Sequence, residues 1–409
     1  MKIAIDEDKK RKVIVENVRK ELISAIEGVE NIVKLDNFTT DELNEILFNY
    51  SYFSRNIRGK EFALPVEILR KLDMSNVSFD DFNANKVDFS GMTGVRIDPN
   101  KLCGTNIREC NFSGVTFLDK FSMGHIDDCN FTGSKNAVIL DTIDLGRRNN
   151  FGDVTFEGTI TNGDIVGSDF SGSKGAVIEI GPEKITSVAN CRLKDATLKG
   201  TFFGCYIAGA DFTGAHTKNG GRIRINPNEL ANSSSNGTYV YDFISRREGV
   251  EFVKNVSGCK FDGVEFTDRF GTANDFVITG ADFSGSEGAF IYPHSIFKND
   301  YHGAKLNGVE FFPTDAIINA ANLEGTSFKG SKGAVISGLQ ETVADADLTD
   351  AAVKFNNQEE MLQMTGVESA KYGDRDFTSA FKESISREFE EPTKRLIKKV
   401  KEAVTASDN

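Results

Sequence analysis

Large apolar residues recur every five positions through the middle of this chain. In the stretch from Ile165 to Ile178, for example, Ile165 and Phe170 stand five residues apart. Close copies of this stretch begin at Ile126, Ile278 and Leu323. A period of five fits neither a helix, which repeats about every 3.6 residues, nor a flat strand, which alternates about every two. Such self-similarity predicts a stacked repeat in which each unit contacts its neighbours.

The five-residue steps predict a repeat domain over residues 73–355. Two kinds of unit alternate in it and give a module of about 40 residues, which would form either two coils or one wide coil. The large residue at the centre of each unit is expected to fill the interior, where burial contributes roughly 1.5–3 kcal/mol per side chain before entropy is subtracted. The phenylalanines assigned to these centres are Phe112, Phe117, Phe131, Phe151, Phe156, Phe170, Phe212, Phe261, Phe266, Phe283, Phe311 and Phe328.

The residues around each centre follow one order: a small residue, Asp or Asn, the large apolar residue, a variable residue, and Gly or Asp. The segments Ala210 to Gly214 and Ala281 to Gly285 show it most clearly. Asp or Asn in this position can accept hydrogen bonds from turn amides, and Gly tolerates the backbone angles of a corner. This order resembles that of the pentapeptide-repeat family, over about residues 72–355. The resemblance implies an all-β solenoid core, a right-handed quadrilateral β-helix with four pentapeptides in each coil.

Two features interrupt the repeat. Pro-containing bridges, such as FIYPHSI from Phe290, predict a strand followed by a turn that bulges from the stack. A large insertion, from about Ala231 to Asn255 (231–255), contains the loop-like run SSSNG and residue types that are enriched at protein interfaces. The candidate protein-contact residues are Tyr239, Tyr241, Phe243, Arg246 and Arg247, and a loop that is disordered or packs on itself is the alternative.

Helices are predicted on both sides of the repeat. Residues 1–72 would form an N-terminal helical cap, with helices over about 8–35, 41–55 and 65–72, and residues 356–409 would form a C-terminal helical segment. We expect both to cover open strand edges of the stack. The first helix has an apolar seam, which suits either packing on its own domain or self-association as a short coiled coil. The seam consists of Val15, Val18, Leu22, Ala25, Val29 and Ile32.

The charge and the ends of the chain narrow the class of protein. A net charge of −13 disfavours direct nucleic-acid binding, which needs basic surfaces. No apolar run of about 18 residues appears, and the charged N-terminus has no apolar stretch behind it. We therefore expect a cytoplasmic protein with no membrane association.

Candidate chemistry is sparse. Five of the six cysteines lie two residues before a centre, where other units carry Ala, which indicates small buried fillers and not metal ligands or disulfides. The four histidines share no motif. The acidic residues of the repeat recur in every unit, whereas a catalytic pair would be singular. We therefore expect no enzyme activity, no metal and no cofactor.

These observations favour a non-enzymatic solenoid scaffold that binds another protein, of unknown identity, through its faces, bridges or insertion. The family resemblance implies an alternative, an acidic rod that imitates DNA and modulates a type II topoisomerase such as gyrase. A further alternative is a secreted bacterial effector that lacks a catalytic domain. Formation of a homo-oligomer through the terminal helices is a separate prediction.

Overall fold

A computed structural model describes residues 2–53, 57–104, 106–234, 252–271, 275–313, 316–319, 321–337, 340–354, 365–367, 369–373 and 375–376. The chain divides into two compact units, Met1–Gly200 with Gly214–Gly220, and Thr201–Thr213 with Gly221–Asn409. The first unit contains α1 (Lys2–Ile26), α2 (Thr40–Leu47), β1 (Phe48–Phe53), β2 (Ile57–Phe62), α3 (Val66–Leu69), β3 (Arg96–Ile97), a 3₁₀ turn (Pro99–Lys101), β4 (Asn106–Arg108), β5 (Thr116–Phe117), β6 (His125–Asp127), β7 (Val138–Leu140), β8 (Asp144–Leu145), β9 (Thr155–Glu157), β10 (Thr159–Ile160), β11 (Val177–Ile180) and β12 (Thr197–Gly200). The second unit contains β13 (Ile223–Ile225), a 3₁₀ turn (Pro227–Glu229), β14 (Asn232–Ser234), β15 (Phe252–Asn255), β16 (Val264–Phe266), β17 (Phe276–Val277), β18 (Phe290–Ile291), two 3₁₀ turns (Pro293–Ser295 and Phe297–Asn299), β19 (Glu310–Phe311), β20 (Ala316–Ile318), β21 (Ala334–Ser337), β22 (Ala352–Lys354), β23 (Lys371–Tyr372) and β24 (Arg375–Asp376).

The first unit is a β-solenoid whose successive coils pair in parallel. Asn111 pairs with Asn130, and Asn130 pairs with Asn150, so two coils run from residue 111 to residue 150. One module of about 40 residues therefore makes two coils and not one wide coil. The column of paired positions contains Asp88, Asn111, Asn130, Asn150, Asp169 and Arg192.

The residues around each centre set the turns of the coil. Beside Phe170, the Oδ1 atom of Asp169 accepts a hydrogen bond from the backbone N–H of Ser171 (2.8 Å). Gly172 follows with a φ of +83°, a conformation that glycine adopts at little cost. Asp195 has a φ of +68° at the corresponding corner of the next coil, and its carboxylate accepts a hydrogen bond from the N–H of Gly172 (3.1 Å). Asp and Gly therefore have the turn roles here that the sequence order predicts.

Phenylalanine rings stack along the interior of the first unit. The ring centroids of Phe112 and Phe131 are 5.2 Å apart, and those of Phe151 and Phe170 are 5.0 Å apart. Such aromatic pairs contribute about 0.5–1.5 kcal/mol each beyond the area that they bury. Every phenylalanine that the sequence assigns to a repeat centre, in either unit, is at most 5% exposed.

The second unit is also a β-solenoid. Phe261 stacks between Phe212 and Phe283, with centroid distances of 6.0 and 5.1 Å. The column of parallel pairs contains Asp211, Lys260, Asp282, Lys305, Ser327, Asp347 and Lys371. The pair of Asp347 with Lys371 adds a coil beyond residue 355, where the sequence pattern had placed the end of the repeat.

This extra coil corrects the predicted C-terminal helical segment. In the described residues after 364, β23 and β24 form an antiparallel hairpin instead of a helix. The physical reason is that Ala370, Lys371 and Tyr372 repeat the order of Ala304, Lys305 and Leu306, whereas helical periodicity begins only at Phe377. The remainder of the predicted segment lies outside the described residues.

The first predicted helix is shorter at its end than its apolar pattern suggested. Because α1 ends at Ile26, Val29 and Ile32 of the seam lie outside the helix, and Ala25 is exposed. Val15, Val18 and Leu22 are half-buried within the unit. The fully buried positions on the described part of this helix are Arg19 and Ile26.

The second predicted helix is wrong beyond residue 47. A capping box between Thr39 and Glu42 starts α2, but the sequence FNYSYF, rich in aromatic residues that favour strands, then forms the hairpin β1–β2. Lys60 in β2 pairs in parallel with Phe82, so the hairpin covers the edge of the first coil. A strand, and not a helix, thus caps this edge. The third predicted helix is the short α3, which follows Pro65.

Candidate functional site

The insertion is rooted in the sheet of the second unit. Strands β14 and β15 pair in antiparallel fashion, with Ser234 opposite Phe252, and β15 pairs in parallel with β17. The two ends of the insertion are therefore held side by side. The predicted contact residues Tyr239, Tyr241, Phe243, Arg246 and Arg247 lie outside the described residues.

The buried side chain of Lys254 stabilises the root of the insertion, the base where β14 and β15 pair. Its Nζ atom donates a hydrogen bond to the carbonyl oxygen of Leu230. Burial lowers the pKa of the amine because the charged form loses its water. Since Leu230 directly precedes the insertion, the bond ties the returning strand to the point where the insertion departs.

A second cluster adjoins this root, where the Pro-containing bridges turn. Asn228 donates from Nδ2 to the carbonyl oxygen of Arg269 (2.7 Å). The guanidinium of Arg269 stacks over the ring of Phe312, 4.1 Å from its centroid, and donates to the hydroxyl of Tyr292 (3.1 Å). Tyr292 meets Phe312 edge-on at 5.3 Å and His294 at 5.4 Å between ring centroids. We call Arg269, Tyr292, His294 and Phe312 the aromatic corner.

The aromatic corner has the composition of a protein-binding hot spot. Tyr and Arg are enriched among the residues that dominate binding energy at interfaces. His294 is exposed, and the other three side chains are half-buried. The stacking of Arg269 on Phe312 contributes about 0.5–1 kcal/mol at such a site and holds both side chains in one orientation. The cluster therefore presents a preorganised surface.

The matching corner of the first unit can be identified from its backbone contacts. Asn100 stands in a bridge of the same form as that of Asn228, DPNK in place of NPNE. Asn100 donates from Nδ2 to the carbonyl oxygen of Lys120 (2.7 Å), as Asn228 does to that of Arg269. Lys120 therefore corresponds to Arg269.

Charges occupy this corner in the first unit. Lys120 forms an ion pair with Glu157 (2.7 Å). Glu157 corresponds to Phe312, because the two units share one register. Phe121, which follows Lys120, pairs with Ile139, and Ile139 pairs with Phe156. Phe270, which follows Arg269, pairs in the same way with Ile291, and Ile291 pairs with Phe311. An ion pair in one unit is thus replaced by the stack of Arg269 on Phe312 in the other.

A neighbouring position shows the same replacement. The N–H of Asp81, the residue after Asp80, donates to the carbonyl oxygen of Lys101 (2.8 Å). The N–H of Gly204, the residue after Phe203, donates to the carbonyl oxygen of Glu229 (2.7 Å), so Phe203 corresponds to Asp80. Asp80 and Lys101 form an ion pair at 3.8 Å, whereas Phe203 is 56% exposed. The second unit therefore places aromatic side chains at two positions where the first unit places charges.

Sequence reasoning did not find the aromatic corner. The bridge FIYPHSI marks Tyr292 and His294, but Arg269 and Phe312 come from the coils on either side. Their contact depends on the number of residues in each coil, which varies. One coil, between the paired residues 111 and 130, has 19 residues, and another, between 347 and 371, has 24. The sequence did contain one signal for this difference. The segments VRIDPNKL and RIRINPNEL are similar, so the two units can be aligned and the residues at equivalent corners compared.

The column of polar residues on the second unit alternates in charge. Lys260 lies 2.7 Å from Asp211, and Lys305 lies 3.0 Å from Asp282. Burial acts to raise the pKa of Asp211, but hydrogen bonds from Lys260 and Thr213 outweigh it and hold the pKa below its usual range. This column is therefore neutralised in pairs and is not a row of free acidic groups.

The cysteines and histidines have structural surroundings. None of the six cysteines, all of which the structure describes, is in a disulfide, and burial raises the pKa of Cys191 and of Cys259 to about 12. His125 contacts the carboxylate of Asp144 at 2.9 Å. In the part of the chain that the structure describes, no group of three or more His, Cys, Asp or Glu side chains could hold a metal ion.

Comparison with known proteins gives only distant likenesses. The sequence matches no protein-family model, and no curated protein is similar to it. Among solved structures the chain is similar to HetL, a pentapeptide repeat protein involved in heterocyst differentiation regulation from the cyanobacterium Nostoc, with 12% identity over 71% of this chain and 90% of that one and a TM-score of 0.18. It is also similar to full-length QnrB1, a plasmid-mediated fluoroquinolone resistance protein, with 12% identity over 70% and 92% of the two chains and a TM-score of 0.14.

These TM-scores are too low to support a conclusion about the fold or the function of this chain. The β-solenoid is established here by the parallel register of its own coils. None of the helices in the described residues is both long and apolar enough to cross a bilayer.

Proposed function

We propose that this protein is a pentapeptide-repeat solenoid that binds another protein and catalyses no reaction. Its coils would be the right-handed quadrilateral coils of that family, as the residue order around each centre supports. The observation that carries the binding role is the aromatic corner, where the stack of Arg269 on Phe312 stands in place of the ion pair of Lys120 with Glu157 in the equivalent corner.

The fold alone does not call for aromatic residues at this corner. The first unit makes the same bridge contact through Asn100 and completes the corner with the exposed ion pair of Lys120 and Glu157. Half-buried rings at Tyr292 and Phe312 instead leave apolar surface in water. A partner that covers these rings would gain the burial that the monomer lacks.

The insertion would extend the same surface. Asn228 contacts the aromatic corner, and Leu230, two residues later, receives the hydrogen bond that fixes the insertion root. The described start of the insertion therefore lies close to the aromatic corner. We propose that both parts contact one partner.

The test is a charge swap that copies the first unit. The double variant Arg269→Lys with Phe312→Glu should keep the solenoid stable, since Lys120 and Glu157 already work in that geometry. Chemical crosslinking in the native cell, followed by mass spectrometry, should recover a partner with the natural chain. Recovery should fall at least about tenfold with the swap, as expected when hot-spot residues worth about 1.4 kcal/mol or more are removed.

The matched control is Lys120→Ala with Glu157→Ala, which removes the ion pair of the first unit and should leave recovery unchanged. A chain in which residues 235–251 are replaced by Asn-Gly should also lose the partner. Equal recovery with all four chains would show that binding uses another surface and would defeat the proposal.

Modulation of a type II topoisomerase such as gyrase is a second candidate. The net charge of −13 supports it, since a DNA mimic presents acidic surface to a basic groove. The neutralised column of Asp211, Lys260, Asp282 and Lys305 weighs against it on that face. A supercoiling assay at high molar excess decides the matter, and an unchanged rate rules this candidate out.

Self-association through the terminal helices is a further proposal. Val13 and Ile14 on α1 are 60% and 62% exposed, so this helix has apolar side chains that a second copy could cover. Light scattering should return a mass above that of the 44.9 kDa chain, and a constant monomer mass at all concentrations would refute self-association.

A further inference from the structure

Two cysteines stack on one another in the first unit. Cys110 and Cys129 occupy the same small position in consecutive coils, since each precedes one of the paired residues Asn111 and Asn130. The N–H of Asn130 donates to the carbonyl oxygen of Cys110 (2.9 Å), which fixes this register. Both side chains lie in the interior, at 2% and 1% exposure.

The separation of the two residues suits a disulfide. Adjacent strands of a sheet are about 4.8 Å apart, and Cα atoms joined by a disulfide are about 4.4–6.8 Å apart. The Cys110 thiol donates to the carbonyl oxygens of Ala84 (2.8 Å) and Arg108 (3.1 Å), and the Cys129 thiol donates to that of Asp127 (3.2 Å). The neighbouring Cys129 side chain lowers the pKa of Cys110, and the Cys110 side chain raises the pKa of Cys129.

Two other cysteines of the columns, Cys191 and Cys259, stack on residues of other types. Cys191 stacks on Ser168, and Cys259 lies between Ala210 and Ala281, as the pairing of the residues that follow them shows. Their thiols also donate to backbone carbonyl oxygens. These two cysteines behave as the small fillers that the sequence predicts and serve as internal controls.

A surface groove borders Cys110. It has a volume of about 650 Å³, and the residues that line it are Glu109, Cys110, Asn111, Asp128, Asn130 and Arg148. A small oxidant in this groove would lie next to Cys110, and Cys129 occupies the same position in the next coil.

We propose that Cys110 and Cys129 are a redox-sensitive pair that forms a reversible disulfide on reaction with hydrogen peroxide. The Cys110 thiolate attacks one peroxide oxygen, which breaks the O–O bond, leaves a sulfenic acid and releases hydroxide. The Cys129 sulfur then attacks the sulfenic sulfur, forms the S–S bond and expels the second oxygen as water. The two thiols lose two electrons and two protons, and the peroxide becomes two waters. Transient disulfides of this kind sense oxidants in reducing compartments.

The disulfide would lock two consecutive coils together. It closes the segment from Cys110 to Cys129 and so restricts the unfolded chain. Oxidation would thus stiffen the first unit at the coil below the groove, and a thiol reductant would reverse it.

The experiment counts thiols in the folded, full-length chain after exposure to hydrogen peroxide. Labelling with N-ethylmaleimide in denaturant, read by intact mass, should fall from the six thiols of the reduced chain to four. Peptide mapping should find Cys110 joined to Cys129. The variants Cys110→Ala and Cys129→Ala should each keep all five of their thiols under the same conditions.

The double variant Cys191→Ala with Cys259→Ala supplies the matched control, because it keeps the pair and should still lose two labels. The oxidised natural chain should also melt several degrees higher, an increase that dithiothreitol reverses and that Cys129→Ala lacks. Retention of six labels by the oxidised natural chain would overturn the proposal. So would a disulfide mapped to any other two cysteines.

Discussion

The guanidinium of Arg19, in α1, donates a hydrogen bond from Nε to the carbonyl oxygen of Ile46 in the last turn of α2, at 2.8 Å. Its Nη2 atom donates to the carbonyl oxygens of Glu45 and Phe48, each at 2.7 Å. The last carbonyl groups of a helix have no partner within the helix, so a buried cation that reaches them satisfies the end of α2. One arginine therefore joins the first helix to the start of the hairpin.

Replacing Arg19 by Met should destabilise the N-terminal region by about 3 kcal/mol, since hydrogen bonds from a charged donor are worth about 1.5–3 kcal/mol and buried carbonyls lose their partner. Urea unfolding gives the free energy, and amide hydrogen exchange in α2 locates the loss. Glu16→Gln is the control, because Glu16 contacts the same guanidinium from an exposed position. A loss below about 1 kcal/mol for Arg19→Met would contradict this account of the α1–α2 contact.

Close packing between coils predicts different costs for two glycines of the second unit. Gly288 and Gly263 have similar φ angles, +69° and +81°. A Cβ atom on Gly288 would lie 2.5 Å from the carbonyl oxygen of Phe266, whereas one on Gly263 would meet no atom within 4 Å. Gly263→Ala should cost about 1–2 kcal/mol from backbone strain alone, and Gly288→Ala about 1–3 kcal/mol more because the coils must separate. Equal unfolding free energies for the two variants would refute the steric argument.

The regular part of the fold follows from the sequence because its information is local. The Asp–Phe–Ser–Gly order around Phe170 specifies a turn acceptor, a buried ring and a left-handed corner within five residues. Repetition then stacks like residues on like, so the β-solenoid and its buried phenylalanines could be predicted. The strand at Phe48–Phe53 could not, because Leu43, Ile46 and Leu47 continue an apolar pattern into it and only its pairing with β2 decides its conformation.

The aromatic corner depends on information that is not local. Arg269 and Phe312 stand 43 positions apart, in coils on either side of the bridge, and neither residue alone marks a site. Only the coil register brings the guanidinium over the ring. The predicted insertion residues, such as Tyr239, stay a prediction, since they lie outside the described residues.

The paired carboxylates of the second unit predict a loss of stability in acid. The pKa of Asp282 is lowered: burial opposes ionisation, but hydrogen bonds from Ser284 and from Lys305 outweigh it, as Lys260 and Thr213 do for Asp211. A carboxyl group with a folded pKa below its unfolded value of about 3.9 stabilises the fold above that pH, and the contribution disappears as pH falls through the folded pKa.

Urea unfolding of the natural chain should therefore show a falling free energy as pH drops below about 4. Asp211→Asn with Asp282→Asn should reduce this dependence on pH, because the variant has no carboxyl group to protonate at either position. Lys260→Met with Lys305→Met should reduce it as well, since the folded pKa values return towards the unfolded ones. An acid profile that is the same in all three chains would show that these pairs do not set it.

Two buried amide side chains, Asn149 in the first unit and Gln340 in the second, bond to backbone groups of adjacent coils, and removing one of them should be costly. Asn149, 1% exposed, accepts the N–H of Cys129 at Oδ1 (2.8 Å) and donates from Nδ2 to the carbonyl oxygens of Ile126 (3.1 Å) and Gly146 (2.9 Å). Gln340, 2% exposed, accepts the N–H of Ala321 and donates to two carbonyl oxygens in the same way.

Asn149→Ala leaves three buried backbone groups without these partners, so we expect a loss of about 2–4 kcal/mol in the unfolding free energy. Cys129→Ala removes a side chain of the same column but none of these bonds, and it should cost less than about 1.5 kcal/mol. Calorimetry and urea unfolding of the two variants give the comparison. If the two losses were equal, the amide would be filling space as the thiol does, and the backbone groups around Asn149 would have found other partners.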